Sequence, residues 1–155
     1  MAESSHLDDQ GRVRMVDVSG KPETERAATA EALVALSPGA ADALFGGELP
    51  KGDALAAVRI AAIGGAKRTS ELIPLCHPIP LVAVTADVEP AAGGARVTVT
   101  AKSVGRTGVE MEAMTGAAVG AVALYDMVKG IDRSAEIGPI RLLAKSGGKS
   151  GDWSR

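Results

Sequence analysis

The chain's one cysteine and one of its two histidines stand side by side in Ile73-Pro74-Leu75-Cys76-His77-Pro78. A residue before proline is pushed toward extended backbone, so this stretch is expected to be stiff. Extended neighbours point to opposite sides, which argues against Cys76 and His77 as a nucleophile and its base within one chain. His77 alone is better suited to acid-base work, because imidazole titrates near neutral pH and a stiff mount fixes its aim. A structural histidine bonded to backbone is the other reading of the same residue.

A second set of groups begins at Gly105-Arg106-Thr107-Gly108, which leads into Glu110-Met111-Glu112 at the first turn of a long apolar-striped segment. Carboxylates at that position are either partners of the helix dipole or parts of a site. Residues two apart do not share a helix face, so Glu110 and Glu112 are expected to have different roles. At the far end of the same segment Asp126 and Lys129 are three apart, a spacing that suits an ion pair. Such a pair is either a surface contact or a carboxylate beside a cation that lowers its pKa or binds phosphate.

The tail Lys145-Ser146-Gly147-Gly148-Lys149-Ser150-Gly151 has a P-loop look, but that pattern requires Gly five residues before Gly148, where Leu143 stands. What remains is a glycine-flexible segment with two lysines able to meet phosphate oxygens, or a disordered tail.

The elements that must hold these groups follow from periodicity and punctuation. Residues 1–12 are expected to form a loose arm and 13–155 a single domain, with Val13 to Val18 alternating as a short strand. Glu25 to Leu36 is ambiguous: its alanines favour helix, while Ala28, Ala30, Ala32, Val34 and Leu36 make one side of a period-two pattern. Ser37-Pro38 reads as a helix start that Gly46-Gly47 ends, and Asp53 caps another helix running to about Arg68. Leu81 to Glu89 and Ala95 to Ser103 alternate around a turn at Pro90 to Gly94, as in an antiparallel hairpin. Val109 to Lys129 predicts the longest helix, with Ala117, Ala121, Leu124 and Val128 on one stripe and Gly130 stopping it. Ile137 to Ala144 reads as a last strand. With the ambiguous segment as strand, the order is a split βαβ, an antiparallel sheet with helices on one face.

Composition excludes several classes. A net charge of −2 over 155 residues argues against general nucleic-acid binding, and a single Phe, Tyr and Trp provide no row of rings for base stacking. One cysteine excludes an internal disulfide and a four-cysteine metal or iron–sulfur site within one chain. No apolar run of membrane-spanning length occurs and the first ten residues are polar and acidic, so the expected location is cytoplasmic, with no membrane partner.

Met15-Val16-Asp17-Val18-Ser19, Lys51-Gly52-Asp53, Ala66-Lys67-Arg68-Thr69, Leu72 to Pro78, Thr107 to Ala113, Tyr125-Asp126-Met127 and Lys145 to Gly151 together resemble the MoaC family in order and spacing, over nearly the whole chain. The resemblance implies an α+β, ferredoxin-like fold, with Glu25 to Leu36 as strand, assembled as a trimer of dimers. It implies a lyase reaction in molybdenum cofactor biosynthesis: conversion of 3′,8-cyclo-7,8-dihydroguanosine triphosphate into cyclic pyranopterin monophosphate with loss of pyrophosphate. A radical SAM GTP cyclase would supply that substrate. Carried over by position, Lys51, His77, Glu110, Glu112, Asp126, Lys129 and Lys145 look like the family's pocket residues, and Leu75, Cys76 and Met111 lie in its substrate-contacting stretches. On this resemblance Asp126 and Lys129 are an acid-base pair, grouped with Lys51 as catalytic. Lys51 and Lys145 clamp the triphosphate, and His77 and Glu112 move protons or recognise the base. No protein metal cage is implied, and Mg²⁺ enters only as a companion of the triphosphate. Gly64-Gly65 inside the second helix departs from the pattern and puts local helix stability in doubt.

Glu112 and Asp126 are 14 residues apart, which on one helix separates them by roughly 21 Å. One nucleotide hardly spans that distance, so a single pocket needs either a sharply bent helix or contributions from two subunits. A phosphate- or nucleotide-binding module without turnover, or a purely structural oligomer, remains a competing reading.

Overall fold

The computed structural model describes residues 6–155. The elements are β1 (Thr24–Ala35), α1 (Pro38–Gly46), α2 (Ala54–Lys67), α3 (Thr69–Leu72), β2 (Leu81–Ala91), β3 (Gly94–Gly105), α4 (Glu110–Val128), β4 (Glu136–Ser146) and β5 (Trp153–Ser154). They form one antiparallel sheet in the order β2-β3-β1-β4-β5. β3 lies between β1 and β2, so the chain leaves β1 through helices and returns one strand away, a split βαβ. With α2 and α4 packed together and against the sheet, this is a ferredoxin-like α+β fold.

Tertiary pairing resolves the alanine-rich ambiguity. As a strand, Glu25 to Ala35 buries Ala28, Ala30, Ala32 and Val34 to 2% exposure or less, while its backbone pairs with both β3 and β4. Helix propensity is worth a few tenths of a kcal/mol per residue and loses to two ladders and a buried face. On the opposite face buried Glu31 is held by Arg96 at 2.9 Å and Arg141 at 2.6 Å, so its charge is paired.

The helix signals in the sequence are used as read. Ser37 Oγ accepts from the Ala40 N–H and Asp53 Oδ1 from the Ala56 N–H, and left-handed Gly47 closes α1. α4 buries Ala117, Ala121, Leu124 and Val128 completely. It ends at Val128 without a left-handed Gly130. Instead Ile131 and Asp132 donate to the Val128 carbonyl. Buried Asp132 then accepts from the Ser37 N–H at 2.7 Å and from Ser134, tying this end to the start of α1. In the β2–β3 hairpin the strands run closer to the turn than expected and take in Pro90, whose missing N–H is tolerated because β2 is an edge.

Two expectations are corrected. Val13 to Val18 is not a strand: only an isolated bridge, Leu7 to Val13, forms there. Its backbone groups go elsewhere, the Val16 carbonyl to His77 and the Val18 carbonyl to the Lys21 N–H, while Asp17 Oδ1 takes the Ser19 N–H. Nor is Ile73 to Pro78 extended throughout, because the Ile73 carbonyl accepts from the Cys76 N–H and closes a turn. In the N-terminal arm, residues 1–5 lie outside the described residues, and Asp8 pairs with Arg12 at 2.8 Å in a closed loop.

Small residues let α4 approach. A Cβ on Gly120 would lie 2.9 Å from Val97 Cγ1, and one on Gly65 only 2.7 Å from Val119 Cβ, whereas Gly64 faces open space. The doubtful glycine pair therefore has two separable effects. Gly64→Ala is expected to stabilise by about 0.5–1 kcal/mol through helix propensity, and Gly65→Ala to destabilise by about 1–3 kcal/mol through overpacking. Urea denaturation of both variants checks the sign of each.

Candidate active site

At the N-terminal end of α4 a cavity of about 260 Å³ is lined by Leu75, Cys76, His77, Glu110, Met111 and Glu112. Two stretches of sequence thus meet: the turn before β2 and the first turn of α4. Val16, Val18 and Lys21 close another side. The alternation that suggested a strand there places Val16 and Val18 on the cavity wall. Lys21 carried no such signal.

His77 Nε2 lies 2.8 Å from the Val16 carbonyl oxygen. A carbonyl only accepts, so Nε2 carries the proton, and in the neutral ring Nδ1 keeps its lone pair. The turn at Ile73 to Cys76 brings Cys76 to the same cavity as His77, against the expected opposite orientation. Even so, burial, with the charge of Glu112 adding to it, pushes the Cys76 thiol up, the reverse of an activated nucleophile.

Glu112 is 3% exposed and its Oε2 has no hydrogen-bond partner. Burial pushes its carboxyl up to about 7. Its own backbone N–H offsets this in part and the charge of Glu110 adds to it. Glu110 differs: its carboxylate folds over Gly108, where a Cβ would lie 1.9 Å from Oε2. The two glutamates therefore share a cavity but not an environment.

At the other end of α4, Lys51 Nζ donates to Asp126 Oδ2 and to the Asp126 carbonyl, both at 2.7 Å, and Lys129 Nζ donates to Oδ1 at 2.7 Å. Hydrogen bonds from Lys129 and then Lys51 pull the Asp126 carboxyl down to about 2, and the same contact raises Lys129. The i,i+3 pair was legible from spacing, whereas the arrival of Lys51 from the α1–α2 loop matches a grouping that only the family resemblance implied. All three side chains are about half exposed. Lys145 contacts Ser150, and its backbone pairs with Ala28 and Trp153.

α4 is unbroken from Glu110 to Val128, so the two clusters stand roughly 21 Å apart in one chain. The fold brings Leu75, Cys76, His77, Glu110, Met111 and Glu112 together, and separately Lys51, Asp126 and Lys129. It does not join the two sets. Among the described residues no group of three or more His, Cys, Asp or Glu gathers to hold a metal ion. No described helix is long and apolar enough to cross a membrane.

The MoaC family profile matches residues 15–148, a span that includes both clusters. The chain belongs to the MoaC family. It is 50% identical over 154 residues to the cyclic pyranopterin monophosphate synthase of Corynebacterium efficiens, covering 99% of each chain. It is 53% identical over 153 residues to the protein of that name from Geobacter sulfurreducens, covering 97% of this chain and 96% of the relative. Against the Roseiflexus sp. protein of the same name it is 50% identical over 155 residues, covering 99% and 98%.

In this MoaC-family chain the two ends of α4 have opposite chemistry. A carboxyl near 7 exists in both forms at neutral pH and can take or give a proton, whereas a carboxyl near 2 stays ionised and holds its lysines charged. The first has a consequence for stability. Glu112 binds its proton more tightly folded than unfolded, so stability falls as pH rises between about 4.5 and about 7. Glu112→Gln is expected to remove that fall, leaving the variant close to wild type near pH ~4 and more stable near pH ~8 by on the order of 1–3 kcal/mol. Denaturation midpoints across this range measure it, and parallel profiles would show that Glu112 ionises freely.

Proposed function

We propose that this chain is a cyclic pyranopterin monophosphate synthase of molybdenum cofactor biosynthesis. It converts 3′,8-cyclo-7,8-dihydroguanosine triphosphate to cyclic pyranopterin monophosphate and pyrophosphate, as a phosphorus–oxygen lyase in the cytoplasm. The observation that carries the reading is the convergence of a buried, protonatable Glu112 with His77 and the Met111 and Leu75 side chains around one cavity. The names of its relatives support it.

The reaction needs two kinds of help. Opening the purine ring and closing the pyran move protons at nitrogen and oxygen, which suits Glu112 near 7 and His77 with Nδ1 available. Cyclic phosphate formation joins a substrate hydroxyl oxygen to the α-phosphorus while the bond from that phosphorus to pyrophosphate breaks. Charge grows on the leaving oxygens, and Lys51 and Lys129 neutralise it. In the Asp126–Lys129 pair the proton rests on Lys129, so Lys129 is the acid and Asp126 the anchor that orients both lysines. Lys145 adds a further contact to the triphosphate, and Mg²⁺ accompanies the phosphates rather than a protein cage.

Because α4 holds Glu112 and Asp126 apart within one chain, the complete site on this reading draws Glu112 from one copy and Asp126 from another, in a trimer of dimers. A radical SAM GTP cyclase supplies the substrate.

An assay with the cyclised substrate, following pyrophosphate and pterin-like absorbance, tests the reaction. Lys129→Ala is expected to lose roughly a hundredfold or more of kcat while still binding substrate. A protein that binds the substrate and releases no pyrophosphate would instead be a silent binding module. For the shared site, mixing Asp126→Ala with Glu112→Ala chains should restore activity in the mixed oligomers. No recovery despite demonstrated subunit exchange would contradict it.

A further inference from the structure

His6, far in sequence from His77 and Glu112, also lines their cavity. It is exposed, so it stands at the rim rather than in the floor.

The segment that carries His6 is closed on itself. The Asp8 N–H donates to the Arg12 carbonyl and the Gly11 N–H to the Asp8 carbonyl, both at 2.9 Å, and the Arg14 N–H reaches the His6 carbonyl at 2.8 Å. Leu7 and Val13 form a bridge between these bonds. The Asp8 carboxylate fastens the turn: Oδ1 accepts from the Gln10 and Arg12 N–H groups at 2.9 Å, and Oδ2 from Arg12 Nε at 2.8 Å. Gly11 supplies the left-handed backbone that so tight a turn needs, with φ of 74°.

Its attachment to the rest of the protein is slight. Among the described residues, every hydrogen bond made by residues 6–14 stays within the segment. Leu7, Val13 and Met15 are 42%, 68% and 50% exposed, so little apolar contact holds it down. The first mooring beyond it is the Val16 carbonyl on His77 Nε2. A unit bonded internally but loosely attached opens and closes as one body at little cost in free energy. Hinged next to His77, with His6 at the cavity rim, the hairpin has the properties of a lid.

We propose that residues 6–14 are a lid on the Glu112 cavity and that His6 is the residue it sets against the bound substrate, its ring hydrogen-bonding a polar edge of the heterocycle beside Glu112 and His77. The lid follows from the hairpin and its place on the cavity wall, while the identity of the molecule beneath it rests on the proposed function. Closure keeps bulk water from the heterocycle while protons move between it and Glu112.

Cys76 lines the same cavity and is the only cysteine in the chain, so its alkylation by a maleimide at one fixed pH reports how open the lid is. Asp8→Ala removes three hydrogen bonds of the hairpin. Asp9→Ala removes the same charge from an exposed neighbour and is the control. In the full-length protein Cys76 is expected to react roughly fivefold faster in Asp8→Ala than in wild type, and at the wild-type rate in Asp9→Ala. Calorimetry with the cyclised substrate is expected to show roughly tenfold weaker binding in His6→Ala, with KM rising in parallel and kcat changed less. His6→Gln, whose amide keeps a hydrogen-bonding group at the rim, should recover part of that affinity. Equal Cys76 rates in Asp8→Ala and Asp9→Ala would overturn the lid, and wild-type affinity in His6→Ala would overturn the contact. The expected alkylation pattern in a protein that neither binds nor turns over the cyclised substrate would uphold the lid and refute the proposed reaction.

Discussion

Nineteen residues of unbroken helix, seated in the core where an added Cβ at Gly116 or Gly120 would crowd Val99 or Val97 at 3.0 and 2.9 Å, hold two sets of polar groups apart. Everything chemical in this protein is arranged about that rod. Its apolar stripe of Ala113, Ala117, Ala121, Leu124 and Val128 lies fully buried against the alanine-rich sheet, so its ends have no freedom to fold toward each other. Within one chain the polar groups therefore stand in two separate clusters.

The two ends show how environment sets the role of one functional group. Glu112 sits in the first turn, where exposed N–H groups favour an anion, yet its carboxyl rises toward 7 because burial outweighs the helix field. Asp126 sits in the last turn, where that field disfavours an anion, yet its carboxyl falls to about 2 because two ammonium groups hydrogen-bond to it in the open. One end is equipped to move protons and the other to present positive charge. A reaction that rearranges a heterocycle and expels an anionic leaving group requires both.

Much of the scaffold could be read from local signals. Ser37, Asp53, the β2–β3 alternation and the α4 stripe each act through neighbours in sequence, and each appears where the spacing puts it. Readings failed where long-range partners decide. Glu25 to Leu36 reads equally as helix or strand from its own pattern, with only the family resemblance implying strand, and two ladders make Thr24–Ala35 a strand; Val16 spends its carbonyl on His77 rather than on a sheet. The Asp126–Lys129 pair was visible at three residues' spacing, whereas Lys51 joins it across 75 residues, a contact that no local pattern encodes. The cavity residues were legible mainly through family resemblance. Lys21 and Arg26 face the tail lysine only because β1 and the Gly147-Gly148 turn bring distant segments together.

The central claim is that the working site is assembled across copies of the chain because α4 keeps its ends apart. The most direct measurement is a structure of the assembled Lys129→Ala protein holding the cyclised triphosphate. The account predicts one substrate contacting Glu112 and His77 of one protomer and Asp126 or Lys51 of another. A substrate whose contacts all come from a single chain, or an assembly in which the two clusters face solvent far from each other, would contradict it.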